Sequence, residues 1–147
     1  MKRTLGIALA VTTALAATLA TALPASAARG AVESRSVSFG PKVFNVNGKA
    51  VAKVRNGVVT WHKNAANGDR WVTIRAQLLD SGPGDGWCAR LATEWLGDTH
   101  PKTKECNGVW TTRTLETYWQ PWVVIYMYTD PRTSARVSWT VNKPAGF

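Results

Sequence analysis

The chain has little with which to perform acid–base or nucleophilic chemistry. Its 147 residues include two histidines, His62 and His100, and two cysteines, Cys88 and Cys106. Neither histidine is accompanied by G-x-S-x-G or H-E-x-x-H, so the sequence holds no nucleophile elbow and no zinc-peptidase helix. Two cysteines helped only by two histidines make a poor zinc site. A small hydrolase would need distant residues to assemble a triad, with His62 or His100 beside a carboxylate in a concave pocket. Nothing selects Glu94, Glu105 and Glu116 as a catalytic pair, and they read as solvated carboxylates. The chain therefore reads as a non-enzyme, and nothing in it calls for a cofactor.

Negative charge is also scarce. Nine acidic residues stand against 18 Lys and Arg, a formal net charge of +9. The basic residues are scattered, with no run of four or more and no nucleic-acid motif. Such an excess draws a protein toward anionic surfaces, including wall polymers and acidic polysaccharide. Long apolar stretches are missing after the N-terminus. Val123 to Tyr128 is apolar but short, and reads as a buried strand rather than a membrane span.

The N-terminus is different. Met1-Lys2-Arg3 is a short positive region, and Leu5 to Leu23 carries no charge. Leu23-Pro24-Ala25-Ser26-Ala27 then places Ala at the −3 and −1 positions of a cut after Ala27. This is the pattern of a cleavable signal peptide over 1–27. Its removal leaves 120 residues with sixteen basic and nine acidic side chains, about +7. That is one ordinary domain, read as a secreted monomer associated with the cell wall or free outside the cell. In an oxidising compartment Cys88 and Cys106 should pair.

Residues 28–36 show no periodicity and read as a flexible segment, followed by a single β domain over 37–147. Asn47-Gly48 and Asn56-Gly57 each separate alternating stretches, and both predict two-residue hairpins. Ala66 to Asp69 is a third turn, leading into Arg70 to Leu79, where Val72, Ile74, Ala76 and Leu78 alternate with polar residues. Asp80 to Gly86 holds three glycines and a proline and must be a loop. Trp87 to Trp95 reads as a strand and Gly97 to Glu105 as a polar loop. Val109 to Thr117, Trp119 to Thr129 and Ala135 to Val141 read as further strands, with Pro121 marking an edge or bulge. About eight short strands and no helical stretch after Ala27 predict an all-β fold, an antiparallel sandwich or barrel with one disulfide.

The segment Leu79-Asp80-Ser81-Gly82-Pro83-Gly84-Asp85-Gly86-Trp87-Cys88-Ala89, with Trp95 and Cys106 beyond it, resembles a pattern in small secreted β proteins of actinobacteria. Those proteins carry a strand ending in Leu-x-Asp, a short loop, Asp-Gly-x-Cys-Ala, a strand with a Trp and a later Cys. Gly82-Pro83-Gly84 and the Trp-rich stretch 110–122 depart from that pattern. The resemblance implies a secreted β-sandwich with one disulfide and implies no activity.

Two groups of residues have the chemistry of a binding site. Asp80 and Asp85 flank the Gly-rich loop. They either cap its turns, as aspartates do, or contribute two of the several carboxylates that calcium requires. Of the eight tryptophans, Trp61, Trp95 and Trp139 sit at inward parity. Trp110, Trp119 and Trp122, near Arg113 and Tyr118, are the candidates for an exposed platform on which sugar rings would stack; the simpler reading is that they fill the core. The leading expectation is a domain that binds cell-wall glycan or an anionic wall polymer. The alternative is a protease inhibitor presenting the Gly97–Glu105 or Asp80–Gly86 loop.

Overall fold

The computed structural model describes residues 31–147 apart from 83, 96–97 and 131–134, with side chains described except at 94, 95 and 98–102. The segment read as a signal peptide lies outside the described residues. Nine strands are present among those described: β1 (Val32–Phe39), β2 (Lys42–Val46), β3 (Lys49–Asn64), β4 (Arg70–Asp80), β5 (Cys88–Trp95), β6 (Asp98–Glu105), β7 (Thr111–Tyr118), β8 (Trp122–Asp130) and β9 (Val137–Asn142). All pairings are antiparallel. One sheet runs β1-β3-β4-β7, with β2 also paired to β3, and the other runs β6-β5-β8-β9. No described helix is long and apolar enough to cross a membrane.

Alternation in the strands sends one apolar row from each sheet into a shared core. Val59, Trp61, Val72, Ile74 and Leu78 meet Ala89, Leu91, Val123, Ile125 and Met127, all fully buried. The two cysteines form the Cys88–Cys106 disulfide, which ties the start of β5 to the residue that follows β6. This all-β, disulfide-tied sandwich is the fold that the alternation predicted.

Three local expectations are corrected. Residues 32–36, read as part of a flexible segment, belong to β1, which pairs with β3 from Val32↔Asn64 to Phe39↔Gly57. Its alternation escapes notice because β1 is an edge strand on which Glu33 and Arg35, rather than apolar residues, alternate with serines. Residues 98–105, read as a loop, form β6. Pro101 is compatible with a strand there because β6 lies at a sheet edge and its register slips between Ala92↔Lys102 and Glu94↔Thr99. The loop on which an inhibitor reading leaned is thus an edge strand.

The third correction separates two identical dipeptides. Asn47 and Gly48 both have positive φ, 49° and 79°, and make the expected hairpin. Asn56-Gly57 lies inside the 16-residue β3 as a bulge. Only Asn56 has positive φ there, 51°. Gly57 is needed for space instead: the Phe39 ring covers its Cα, where any Cβ would collide with it. That ring is itself packed against Trp139, centroids 5.3 Å apart. Gly57→Ala must therefore displace Phe39 from Trp139. The expected cost is about 1–3 kcal/mol, read as a lower midpoint in urea unfolding; an unchanged midpoint would refute the close approach.

Candidate functional site: a cationic aromatic end

The platform candidates do not form one patch. Strand β7 separates Trp110 from Tyr118 by about 25 Å and Arg113 from Tyr118 by about 17 Å. Trp110 is half-buried, with the Arg55 guanidinium 4.1 Å from its ring centroid. Arg113 points inward, where its Nη2 meets Glu105 Oε2 at 2.8 Å. It is about one-third exposed and pairs with a buried carboxylate.

The other three residues lie at one end of the sandwich, with Tyr118 on the outward row of β7 in the first sheet and Trp122 on the outward row of β8 in the second. Tyr118 is 50% exposed and Trp122 52% exposed. Trp119 is half-buried against Phe147, with centroids 5.4 Å apart. Three cations converge on the Trp119 ring: Lys63 Nζ at 5.7 Å, the Arg70 guanidinium carbon at 5.5 Å and Lys143 Nζ at 5.8 Å from its centroid. Lys63 Nζ also lies 4.2 Å from the Phe147 ring centroid. Each distance lies within cation–π range.

The fold explains this convergence. Lys63 and Arg70 face each other across β3 and β4 on either side of the turn 64–69. Lys143 follows β9, its N–H donating to the Pro121 carbonyl at 2.8 Å. Among the described residues none of the three cations forms an ion pair with a carboxylate, although Glu33 stands opposite Lys63 in the β1–β3 register. Asp69, next to Arg70, instead accepts from the Asn67 side chain at 2.5 Å.

Beside this cluster a shallow cleft of about 240 Å³ is lined by Arg70, Trp71, Glu116, Thr117 and Tyr118. Trp71 and Tyr118 are cross-strand partners. The His62 ring stacks on Trp71 at 4.8 Å and is held on both sides, Nδ1 to Ser34 Oγ at 2.8 Å and Nε2 to Thr73 Oγ1 at 2.9 Å. Burial pulls the His62 pKa below the ordinary imidazole value, against a smaller opposing pull from Glu116. Burial thus favours the uncharged form of the ring. The ring is bonded to hydroxyls on both nitrogens, and among the described residues no carboxylate is hydrogen-bonded to it. The arrangement suits a rigid aromatic row better than a proton relay. The side chain of His100 lies outside the described residues.

The loop aspartates cap turns. Asp80 Oδ1 accepts from the Gly82 N–H at 3.1 Å and Asp85 Oδ1 from the Trp87 N–H at 2.8 Å. Among the described residues no group of three or more His, Cys, Asp and Glu could hold a metal ion. Glu105, read as solvated, is buried at 1% exposure, because β6 turns it inward beside Arg113. Asp80 is 2% exposed, and its Oδ2 has no hydrogen-bond partner among the described residues.

Burial, and then the nearby Asp85 and Glu105 charges, raise the Asp80 pKa above the ordinary aspartate value. A carboxyl whose pKa is raised by folding favours the native state below its unfolded pKa, and that advantage is lost as pH rises through the folded pKa. Asp80→Asn keeps the acceptor for Gly82 and removes the charge. It is expected to raise the melting temperature by a few degrees at pH 7, with the gain vanishing near pH 4. A variant less stable than the native protein at both pH values would contradict this.

The sequence did not single out Lys63, Arg70, Lys143 or Trp71. The Lys63–Arg70 pairing could be inferred from the turn between them, but the meeting with Lys143 and Trp119 depends on strand order. No family model, curated protein or solved structure matches this chain.

Proposed function

We propose that this is an exported, non-enzymatic domain that binds an anionic polymer of the cell envelope or extracellular medium through its cationic aromatic end. The observation that carries the reading is the convergence of Lys63, Arg70 and Lys143, without an ion-paired carboxylate among the described residues, on Trp119. An anion arriving there would meet three positive charges around the Trp119 ring, with the exposed rings of Tyr118 and Trp122 flanking that end on opposite faces of the sandwich. Rings of this kind take the apolar face of a sugar, while the cations take its acidic groups. The signal-peptide pattern of 1–27, the disulfide and the resemblance of Leu79–Ala89 to small secreted actinobacterial proteins support an extracellular setting.

The test is co-sedimentation with cell walls carrying anionic polymer. The protein should pellet at low salt and be released at high salt, because exposed charge attraction is screened. A Lys63→Ala/Arg70→Ala/Lys143→Ala variant should bind on the order of ten- to a hundredfold more weakly. Trp122→Ala should weaken binding without disturbing the fold. A protein that stays in the supernatant at low salt would overturn the proposal.

A further inference from the structure

We infer that the outer face of the first sheet is a continuous track for a linear acidic polysaccharide, anchored at the end opposite Trp119 by Arg55 and Arg75. This rests on the proposed function and names its ligand class.

A second basic groove lies at the β3 bulge. One part, of about 550 Å³, is lined by residues that include Ser38, Phe39, Arg55, Asn56 and Val58. It shares Asn56 and Val58 with a smaller part of about 180 Å³, which Arg75, Gln77 and Thr112 complete. No carboxylate lines either part, and among the described residues neither arginine has an ion-pair partner.

Arg55 is held in place. Its Nε donates to Gln77 Oε1 at 2.8 Å, and its guanidinium stacks on Trp110. The same Gln77 oxygen accepts from Asn56 Nδ2 at 3.1 Å, steadying Asn56 in its left-handed conformation. Bulges and non-glycine residues at positive φ concentrate where a binding surface must be shaped. Neither terminal amino group of Arg55 is hydrogen-bonded among the described residues, which leaves a planar fork suited to a carboxylate.

The two ends lie on one face. Trp71 and Gln77 are both outward residues of β4, six positions and about 20 Å apart. Between them the face is built of hydroxyls. Ser34, Ser36 and Ser38 on β1 stand opposite His62, Thr60 and Val58. Thr60 pairs with Thr73, and Arg75 and Gln77 pair with Thr114 and Thr112. Hydroxyls donate and accept, as do those of a sugar chain.

A uronic acid polymer offers planar carboxylates for the arginine forks, hydroxyls for the serine and threonine rows, and ring faces for Trp71 and Tyr118. A plain polyphosphate would meet only the cations. Glu116, beside Thr73, is the one carboxylate on the outward rows.

The experiment is a calorimetric titration of the protein with oligogalacturonates from the dimer upward, with inorganic polyphosphate and a neutral glucan as comparisons. Affinity should rise with length and level off once the chain spans about 20 Å, as two linked contacts require. Arg55→Gln/Arg75→Gln should remove the length gain, on the order of tenfold for long chains, and leave dimer binding unchanged. Glu116→Gln should tighten binding. Length-independent affinity, long-chain binding unaffected by the double substitution, or equal binding of the neutral glucan would overturn the inference. Binding of polyphosphate without binding of oligogalacturonate would overturn the ligand class and leave the proposed function standing. No binding of either anionic polymer would overturn both.

Discussion

Trp61→Ala is expected to destabilise the domain by about 3–5 kcal/mol. The ring is fully buried toward the C-terminal end of β3, within the core shared by the two sheets. Its Nε1 donates to the Gln120 carbonyl at 2.9 Å, tying β3 to the connection between β7 and β8. Alanine would leave a cavity and a carbonyl without its partner. The loss is a large part of the roughly 5–15 kcal/mol that holds a typical domain together. Trp61→Phe separates the two contributions: it keeps an aromatic ring but loses the hydrogen bond, which alone is worth about 1 kcal/mol. Urea unfolding followed by circular dichroism measures both. A loss below about 1 kcal/mol for Trp61→Ala would show that the site collapses around the smaller residue. Because Gln120 follows Trp119, either variant should also loosen the ring on which the three cations converge.

Arg113→Met is expected to cost about 3 kcal/mol, the low end for breaking a buried ion pair, because Arg113 is about one-third exposed. What remains is a Glu105 carboxylate that is almost fully buried and keeps the N–H of Asn107, 3.0 Å from Oε1. Adding Glu105→Gln should recover most of the loss, since the uncompensated charge disappears. The pH dependence gives a second readout. In the native protein burial pushes the Glu105 carboxyl up, but hydrogen bonds from Thr111, Asn107 and Arg113, together with the Arg113 charge, outweigh it and hold the pKa below the ordinary value. This contributes stability at pH values above the unfolded pKa, and the contribution is lost as pH falls through the folded pKa. In Arg113→Met the balance moves toward burial, so acidification should narrow the stability gap to the native protein. A constant gap from pH 7 to pH 4 would argue against a trapped carboxylate.

These two side chains show how far the sequence could be read. Trp61 sits in a stretch whose alternation, Val59 and Trp61 against Thr60 and His62, marks its inward face without further information. Arg113 sits among threonines that alternate with nothing apolar except Leu115. Its inward direction is set by Glu105, eight positions earlier on a strand of the other sheet. The expectation that Glu105 is solvated fails for the same reason. A buried ion pair leaves no periodic trace, because each partner taken alone looks like a surface residue.

The two Asn-Gly dipeptides make the same point in the backbone. The sequence alone determined that the domain is built of strands, which residues of most strands face inward, and that Asn47-Gly48 turns the chain. Alternation and turn chemistry act over a few neighbouring residues, so the local sequence carries them. Only the tertiary structure decided that Asn56-Gly57 would be spanned by a continuous strand, since the Phe39 ring that covers Gly57 comes from β1. It likewise decided that Lys63, Arg70 and Lys143 would share one tryptophan. Lys63 and Arg70 meet across the local β3–β4 hairpin, but Lys143 and Trp119 reach them only because the chain after β9 and the chain after β7, both far from that hairpin in sequence, are brought to the same end of the sandwich.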